Sequence, residues 1–433
     1  MDSLNIIDNE TLQKHIKRFF WGILIYSIAS HILFEINLKH LSGVIINIIQ
    51  LCGLAMWGFS MLKLVSWRNV SNRYLLVTVT ALLLWEVFIM FHGFIFNYPY
   101  LKEHLFSDYR SMSYLVPLAV FVMVNNPVFL QKTCKYSYRL GIAFLIAFPF
   151  FSTLLLEEQT IAEQFVWIFA TGGSGFILLT SFYHSRRKVI VSTIVMVLAL
   201  IFITIMARRS IMLLCSYFLL FSFLIIPIVN KNNSWLKKWI FIFSFLIITF
   251  AGYNIFLSNK YGTFYKITKR ATEDTREIVF LSFLMDMSNT DFIIGKGCNG
   301  TYFCPGVDKD FNGGEELKYR DLDYRTHIEC GYMQLILNGG IIYLAIYLLI
   351  MFPAIFKGLF FSRNIFSKAC ALLILIHLLD MVPFGLPTFS WRQFLLWFAV
   401  AICYSKEFRL KEDEEIYEIL SIEKDTNEDN TIN

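Results

Sequence analysis

Two adjacent arginines, Arg208 and Arg209, interrupt an apolar stretch that otherwise runs from 189 to 230. A charged side chain inside a bilayer is costly unless a partner or the membrane surface compensates it. The pair therefore indicates a site for an anionic ligand. The alternative is a tight helical hairpin whose two arginines reach up to the headgroups of the lipid.

A second group of reactive residues lies in the segment DLDYRTHIECGYMQ. It contains Arg320, Arg325, His327 and Glu329, immediately before another long apolar stretch. A histidine or a carboxylate can accept a proton, and arginine binds phosphate oxygens through paired hydrogen bonds. The group predicts general-base chemistry beside a phosphate-containing ligand. The alternative is a solvated loop whose charges have no role.

A third segment combines an arginine, a helix and glycines. Residues 264–288 have apolar side chains at helical spacing behind a charged first half, so we predict a helix there with Arg276 facing the membrane surface. Gly295 and Gly297 follow in DFIIGKGCNG. This pattern is only superficially similar to a phosphate-binding loop because no strand precedes it. We expect a glycine-rich turn that packs against the membrane.

The composition defines the class of protein that must position these residues. Of 433 residues, 56% are hydrophobic and 16% are charged, against roughly 25% charged in an ordinary soluble domain. So much apolar surface cannot be buried in a water-soluble fold, and the composition is not that of a disordered chain or a disulfide scaffold. We predict an all-α polytopic membrane protein, with the lipid bilayer as a partner and no nucleic acid.

A helix needs about 20 mostly apolar residues to cross the hydrocarbon core. Twelve segments of the sequence meet this requirement within a few residues. They are 17–36, 42–65, 74–96, 113–131, 139–156, 163–183, 188–207, 210–230, 238–257, 331–356, 365–385 and 387–404.

Lysine and arginine concentrate in alternate short connections, which predicts that both termini are cytoplasmic. The domain plan has four parts. Residues 1–257 form nine membrane helices, and 258–330 form one long extracytoplasmic loop with an amphipathic helix. Residues 331–404 form three further membrane helices, and 405–433 form an acidic cytoplasmic tail. Loops as long as 258–330 usually carry function.

Other polar residues in the apolar segments have simpler explanations. Glu86 is either a functional charge or a hydrogen-bonded carboxyl group that joins two helices. His377 and Asp380, one helical turn apart, are expected to form a structural pair. Cys298 and Cys304 form a disulfide or remain two thiols. Since no metal-binding motif is present, neither a metal site nor a cofactor is predicted.

The order of these features resembles the O-antigen ligase and O-antigen polymerase superfamily of envelope glycosyltransferases. Four segments match in order over roughly residues 190–400. They are MARRSIMLL, TREIVFLSFLMDMSNTDFIIGKGCNG, HIECGYMQLILNGGIIYLAIYLL and, more weakly, FSWRQFLLWF. The resemblance puts Arg208 or Arg209 at the family's arginine after the seventh span, and Gly340 and Tyr343 at the end of its third motif.

The resemblance also implies roles for individual residues. Arg208, Arg209, Arg276 and Arg325 would stabilise a departing pyrophosphate. Gly295, Gly297 and Gly340 would position the loop. Alignment on Tyr332 puts Glu329 where the family usually has its catalytic histidine, with His327 two residues earlier. Both residues are therefore candidates for the general base.

The activity implied by the resemblance is transfer of a glycan from undecaprenyl pyrophosphate on the outer side of the bacterial cytoplasmic (inner) membrane. We expect a polymerase of O-antigen or capsule repeat units, with a chain-length regulator and a flippase as protein partners. One alternative is a ligase that joins glycan to lipid A core or another acceptor. A different class is a lipid-linked oligosaccharide flippase or transporter, which usually binds its substrate near the bilayer midplane.

Overall fold

The computed structural model describes residues 9–33, 43–66, 69–107, 111–122, 126–157, 159–206, 208–226, 275–305 and 323–421. This part of the chain is mostly helical, and its two strands, β1 (Tyr302–Phe303) and β2 (Tyr324–Arg325), form one short antiparallel pair. The α-helices are α1 (Asn9–Ile28), α2 (Gly43–Leu64), α3 (Arg73–Phe91), α4 (Tyr98–Phe106), α5 (Pro127–Glu157), α6 (Gln159–Phe165), α7 (Phe176–Leu179), α8 (Arg186–Ile205), α9 (Arg209–Leu220), α10 (Thr275–Asp286), α11 (Asn289–Ile294), α12 (Gly331–Phe360), α13 (Ile365–Asp380), α14 (Trp391–Tyr404), α15 (Lys406–Arg409) and α16 (Asp413–Ser421).

Five helices in the described part are long and apolar enough to cross a membrane. They are α2, α3, α8, α12 and the continuous helix Ile161–Leu179, in which a π-helical stretch joins α6 to α7. Three shorter apolar helices are Met112–Phe121, Arg209–Leu224 and Trp391–Tyr404. These helices support a membrane protein. The count of twelve spans stays a prediction, and the predicted span 238–257 lies outside the described residues.

The predicted connection between the fourth and fifth spans, around Lys132 and Lys135, is wrong. A 3₁₀-helix ends at Phe121, and α5 then runs without a break through both lysines. The helix begins earlier because Asn126 and Pro127 form a helix-start signal. The Val128 backbone N–H donates a hydrogen bond to Asn126 Oδ1 at 2.9 Å. Proline at the first helical position has no N–H group and needs no such partner.

Helices α3 and α12 pack antiparallel, which defines two ends of the bundle. Tyr74 at the start of α3 donates a hydrogen bond to Leu349 O in the second half of α12 (2.9 Å), and Trp85 near the end of α3 donates to Gly339 O (2.8 Å). We call one end the loop end. There α3, α8 and α13 finish, and α6, α9, α12 and α14 begin.

The opposite end, which we call the tail end, carries the folded part of the C-terminal segment. Asn364 Nδ2 donates to Phe408 O at 2.9 Å, and Arg363 pairs with Glu412 at 3.1 Å. The residues after 421 lie outside the described part. Basic residues that the sequence assigns to the cytoplasmic side gather at this end, among them Lys63, Arg73, Lys132, Arg186 and Lys357.

The core is formed around α14, all of whose residues are buried. Aromatic rings of α1, α5 and α14 pack together there: Phe20 lies 5.0 Å from Phe129 and 5.6 Å from both Trp391 and Phe394, measured between ring centroids. Such rings bury large apolar areas. The packing fixes the first turn of α14 at the loop end, where Arg392 is buried as well.

Candidate functional site

The glycine turn after α11 packs against two membrane-spanning helices at the loop end. Gly295 ends α11 with a φ of +79°, and Gly340 breaks α12 with a φ of +69°. A Cβ atom on Gly340 would lie 2.0 Å from Ile293 O, and one on Gly297 would lie 1.8 Å from His92 O. Only glycine permits these close approaches, so the turn is held directly on α3 and α12.

The predicted helix 264–288 corresponds to α10, which begins at Thr275. Residues 264–274 lie outside the described part. After α11, Lys296 ties the glycine turn to the end of α10: its ammonium group contacts the Asp286 carboxylate and donates to Thr301 O at 3.1 Å. The described residues of the predicted loop 258–330 are thus packed on the helices.

Beside the glycine turn, the beginning of α12 contributes to a narrow cleft, which we call the polar cleft. Its free space is about 10 Å³, room for one water-sized group. The cleft is formed by the 3₁₀-helix Ser111–Phe121, the segment before α12, α12 itself and the turn after α13. Its lining residues are Ser113, Tyr114, His327, Gln334, Leu335, Asn338, Tyr343, Leu386 and Pro387.

A chain of hydrogen bonds runs through the polar side chains of this cleft. The backbone N–H of Ile328 donates to Gln334 Oε1 at 2.9 Å. Gln334 Nε2 donates to Asn338 Oδ1 at 3.0 Å, and Asn338 Nδ2 donates to the Tyr114 hydroxyl at 3.2 Å. Because a backbone N–H can only donate, it fixes the orientation of both amides.

The two candidate bases have different surroundings. His327 lines the polar cleft, and its backbone carbonyl accepts a hydrogen bond from the Tyr302 hydroxyl at 3.0 Å. Glu329 does not line the cleft. Its carboxylate pairs with Arg325 of β2 at 3.7 Å, and 43% of its side chain is exposed. The structure therefore separates the imidazole in the cleft from the carboxylate in an ion pair.

Below the cleft, two hydrogen bonds join neighbouring membrane helices. Tyr343 of α12 donates to the Glu86 carboxyl of α3 at 2.9 Å, and both side chains are buried. One turn further along α12, the Tyr347 hydroxyl and His377 Nε2 share a hydrogen bond of 2.8 Å. Glu86 thus joins two helices through a hydrogen bond, which was one of its two expected roles.

The expected pairing of His377 with Asp380 is wrong, because each residue finds its partner on another helix. The Asp380 carboxylate pairs with the Arg392 guanidinium of α14, and both side chains are more than nine-tenths buried. The guanidinium also lies 5.2 Å from the centroid of the Trp167 ring, a cation–π geometry. Arg392 Nη1 has no hydrogen-bond partner among the described residues.

A second ion pair lies beside the first and completes a site that we call the charged pocket. Arg208 Nη1 lies 3.5 Å from Glu163 Oε2, and their side chains are 27% and 17% exposed. The pocket between the ion pairs is lined by Glu163, Gln164, Trp167, Ser210, Ile211, Asp380 and Phe384. Two arginines and two carboxylates therefore meet where four helix ends come together.

The start of α9 adds a further positive element to this pocket. Arg208 is the N-cap residue of α9, and no side chain caps the helix there. The first backbone N–H groups of a helix carry partial positive charge and attract anions. Arg209 is the first residue of the helix and is half-buried. This end of α9 therefore has the electrostatics of an anion site.

The polar cleft and the charged pocket lie on the two sides of one short turn, residues 381–390, between α13 and α14. Leu386 and Pro387 of this turn line the cleft, whereas Phe384 and the preceding Asp380 line the charged pocket. The turn is anchored to α12 by a hydrogen bond of 2.8 Å from Gly331 N to Met381 O. Both sites are therefore at the loop end.

The residues predicted from the sequence divide between these places. Arg208 and Arg209 lie at the charged pocket and His327 lines the cleft, whereas Arg325 and Glu329 pair with each other and do not line it. Arg276 belongs to the first turn of α10, but its side chain, like Arg320 as a whole, lies outside the described part.

Sequence reasoning missed several residues of both sites. Gln334 and Asn338 stand one turn apart at the start of an apolar helix, a spacing that could have identified them. Glu163 and the pairing of Asp380 with Arg392 had no comparable signal, because their partners lie far apart in the sequence. The described residues contain no group of three or more metal-ligating side chains, and Cys298 and Cys304 are buried thiols.

Comparison of the chain with protein-family models, with curated proteins and with solved structures finds no match. The chemistry of the site therefore has to be judged from its own residues. They offer a neutral cleft with an imidazole, and next to it a pocket with two guanidinium groups.

Proposed function

We propose that this chain is a membrane glycosyltransferase. It would polymerise undecaprenyl-pyrophosphate-linked repeat units of O-antigen or capsule on the outer side of the bacterial cytoplasmic membrane. In this reaction a hydroxyl oxygen of the acceptor sugar forms a bond to the anomeric carbon of the donor. The bond from that carbon to the pyrophosphate oxygen breaks, and the polyprenyl pyrophosphate leaves with the electron pair. A base takes the hydroxyl proton, and cationic groups stabilise the leaving group.

The observation that carries this proposal is the position of the two sites on either side of one turn. A base and a group of arginines are the two requirements of the reaction, and they must lie within one substrate length of each other. His327 is on one side of the turn 381–390, and Arg208 is on the other. A transporter would instead be expected to concentrate its charges near the midplane.

His327 is the better candidate for the base. It lines the cleft that a hydroxyl group of the acceptor could enter, whereas Glu329 is ion-paired with Arg325 and lies outside the cleft lining. We assign Glu329 the role of pairing with Arg325 of β2.

Arg208 is the arginine best placed to exchange its partner for a phosphate. Its contact with Glu163 is long, at 3.5 Å, and both side chains are partly exposed, so the ion pair is weak. A pyrophosphate group offers more negative charge and geometry for paired hydrogen bonds. Arg392 stays with Asp380 and would contribute through its remaining N–H groups.

The topology assigned to this function puts the loop end outside and the tail end in the cytoplasm. Basic residues gather at the tail end, as the positive-inside rule requires of the cytoplasmic side. The arginines of the charged pocket depart from that rule, and a pyrophosphate at headgroup depth gives a reason for the departure.

The test is deletion of the gene in its host, followed by gel electrophoresis of the surface polysaccharide. We expect a ladder of polymer to collapse to single repeat units on the acceptor. Naked acceptor with accumulated polymer would instead indicate the ligase. An unchanged glycan profile would overturn both, and loss of all extracytoplasmic repeat units would indicate a flippase.

A further inference from the structure

We propose that the polar cleft takes one hydroxyl group of the acceptor sugar, a group the size of a water molecule, with Asn338 and Gln334 as the residues that recognise it. This inference rests on the proposed function and assigns one of its two substrates to a named set of side chains. It concerns binding and specificity, whereas proton transfer is assigned to His327.

The cleft retains unused hydrogen-bonding capacity at Asn338. Asn338 donates once, to Tyr114, and accepts once, from Gln334. A side-chain amide has two N–H groups and two carbonyl lone pairs. Asn338 therefore keeps one donor and one acceptor in the described structure, although it is only 8% exposed. A sugar hydroxyl both donates and accepts a hydrogen bond, so it can pair with the remaining N–H group and the remaining lone pair of Asn338.

The orientation of the amides is fixed before any ligand arrives. The N–H of Ile328 orients Gln334, and Gln334 orients Asn338. Gln334 Nε2 also faces Thr326 O at 3.4 Å. A preorganised polar group loses little entropy on binding and rejects a ligand that leaves it unpaired. The arrangement therefore suits a specificity site.

The cleft has a neutral lining. Among the described residues that line it, none is a lysine, arginine, aspartate or glutamate. Arg208 and Arg392 lie across the turn, paired with Glu163 and Asp380. A neutral lining is unfavourable for a pyrophosphate, since burial of an unpaired charge is costly, but it suits an uncharged hydroxyl group.

Two aromatic residues form a rigid wall of the cleft. Tyr114 and Tyr343 both line it, with ring centroids 6.3 Å apart and planes at 80°. Their hydroxyl groups are engaged with Asn338 and Glu86 respectively, which holds both rings in place. The space that a hydroxyl group would fill therefore has fixed walls.

The experiment measures acceptor and donor kinetics separately with the purified full chain. The donor is undecaprenyl-pyrophosphate-linked oligosaccharide extracted from cells that lack the gene. The acceptor is the same oligosaccharide, released by mild acid and labelled at its reducing end. For Asn338→Ala we expect an acceptor KM raised about tenfold, the usual effect of losing a buried hydrogen bond, with a donor KM within about twofold of wild type.

A matched control is Asn69→Ala, which removes another partly buried asparagine that donates to Phe121 O (2.8 Å) at the tail end. It should leave both KM values unchanged. Tyr114→Phe, which removes one oxygen, serves as the second variant and should raise the acceptor KM less than Asn338→Ala does. It also keeps the test open if Asn338→Ala does not fold.

The outcomes separate the inference from the proposed function. Unchanged acceptor KM in both cleft variants, or an increase in donor KM alone, would overturn the acceptor site while leaving a glycosyltransferase. Absence of any transfer or donor cleavage by wild-type protein would overturn the proposed function itself, and this inference with it.

Discussion

The polar cleft and the charged pocket are separated by one short turn, and they hold their polar groups in contrasting ways. In the cleft, a backbone N–H orients a chain of neutral amides that ends at the Tyr114 hydroxyl. In the charged pocket, two guanidinium groups face two carboxylates, one pair buried and one partly exposed. In both sites the buried polar groups have hydrogen-bond or ion-pair partners, as the apolar interior of a helix bundle requires.

The contrast indicates how the two sites can respond to a ligand. The neutral chain keeps open hydrogen-bonding positions without any rearrangement. The charged pocket is compensated internally, and the partly exposed pair of Arg208 with Glu163 is the one that can exchange its carboxylate for an anion. The buried pair of Asp380 with Arg392 acts as the fixed part of the pocket.

The largest effect is expected in the cleft. His327→Ala should lower the transfer rate by about 10²–10⁴-fold, the usual contribution of a general base. Glu329→Ala is the matched variant and should retain most of the activity, because that carboxylate lies in an ion pair outside the cleft. Rates of polymer formation by purified protein decide between them. The reverse ranking would make Glu329 the base.

The next effect concerns the buried half of the charged pocket. Asp380→Ala should lower the free energy of unfolding by about 3–5 kcal/mol, since it leaves a buried guanidinium without its counter-ion. Glu412→Ala removes the carboxylate of an exposed pair at the tail end and should cost well under about 1 kcal/mol. Unfolding titrations in detergent measure both. Equal stabilities would show that the Asp380 pair is not buried in the folded protein.

The exposed half of the charged pocket should affect the donor. Arg208→Ala is expected to lower kcat/KM for the lipid-linked donor about thirtyfold, the effect of losing a charge-assisted hydrogen bond of about 2 kcal/mol. Arg363→Ala, at the exposed tail-end pair, is the control and should change nothing. If Arg208→Ala instead raised only the acceptor KM, the assignment of the two sites would have to be exchanged.

The smallest effect is expected at Glu86, below the cleft. Glu86→Gln keeps an oxygen that can accept the hydrogen bond from Tyr343, so stability should change by less than about 1 kcal/mol and transfer should continue. Loss of all activity in this variant would make Glu86 a functional charge near the midplane. That result would favour the transporter class.

Part of the site could be predicted because its signals are local. Two arginines within an apolar stretch predicted the break between α8 and α9. The glycines predicted a turn that was expected to pack against the membrane, and in the structure this turn packs on α3 and α12. Gly340 lies in the left-handed region of φ, with Ile293 O where a Cβ atom would be. Both features need only a few consecutive residues.

The remainder depended on tertiary contacts that spacing does not encode. His377 and Asp380 are three residues apart, but His377 shares a hydrogen bond with Tyr347 and Asp380 pairs with Arg392. Glu163 meets Arg208 only because the start of α6 packs beside the start of α9. The beginning of α5 was predicted wrongly for another reason. The charge pattern placed a loop where α5 already runs, whereas the local helix-start signal places the beginning of the helix before it.

The most direct test of the division between the two sites is binding of undecaprenyl pyrophosphate, which carries the leaving group but no sugar. Its effect on thermal unfolding can be measured for wild type, Arg208→Ala and Asn338→Ala. We predict stabilisation of the wild type and of Asn338→Ala by similar amounts, and its loss in Arg208→Ala. No stabilisation of the wild type, or a loss confined to Asn338→Ala, would contradict the account.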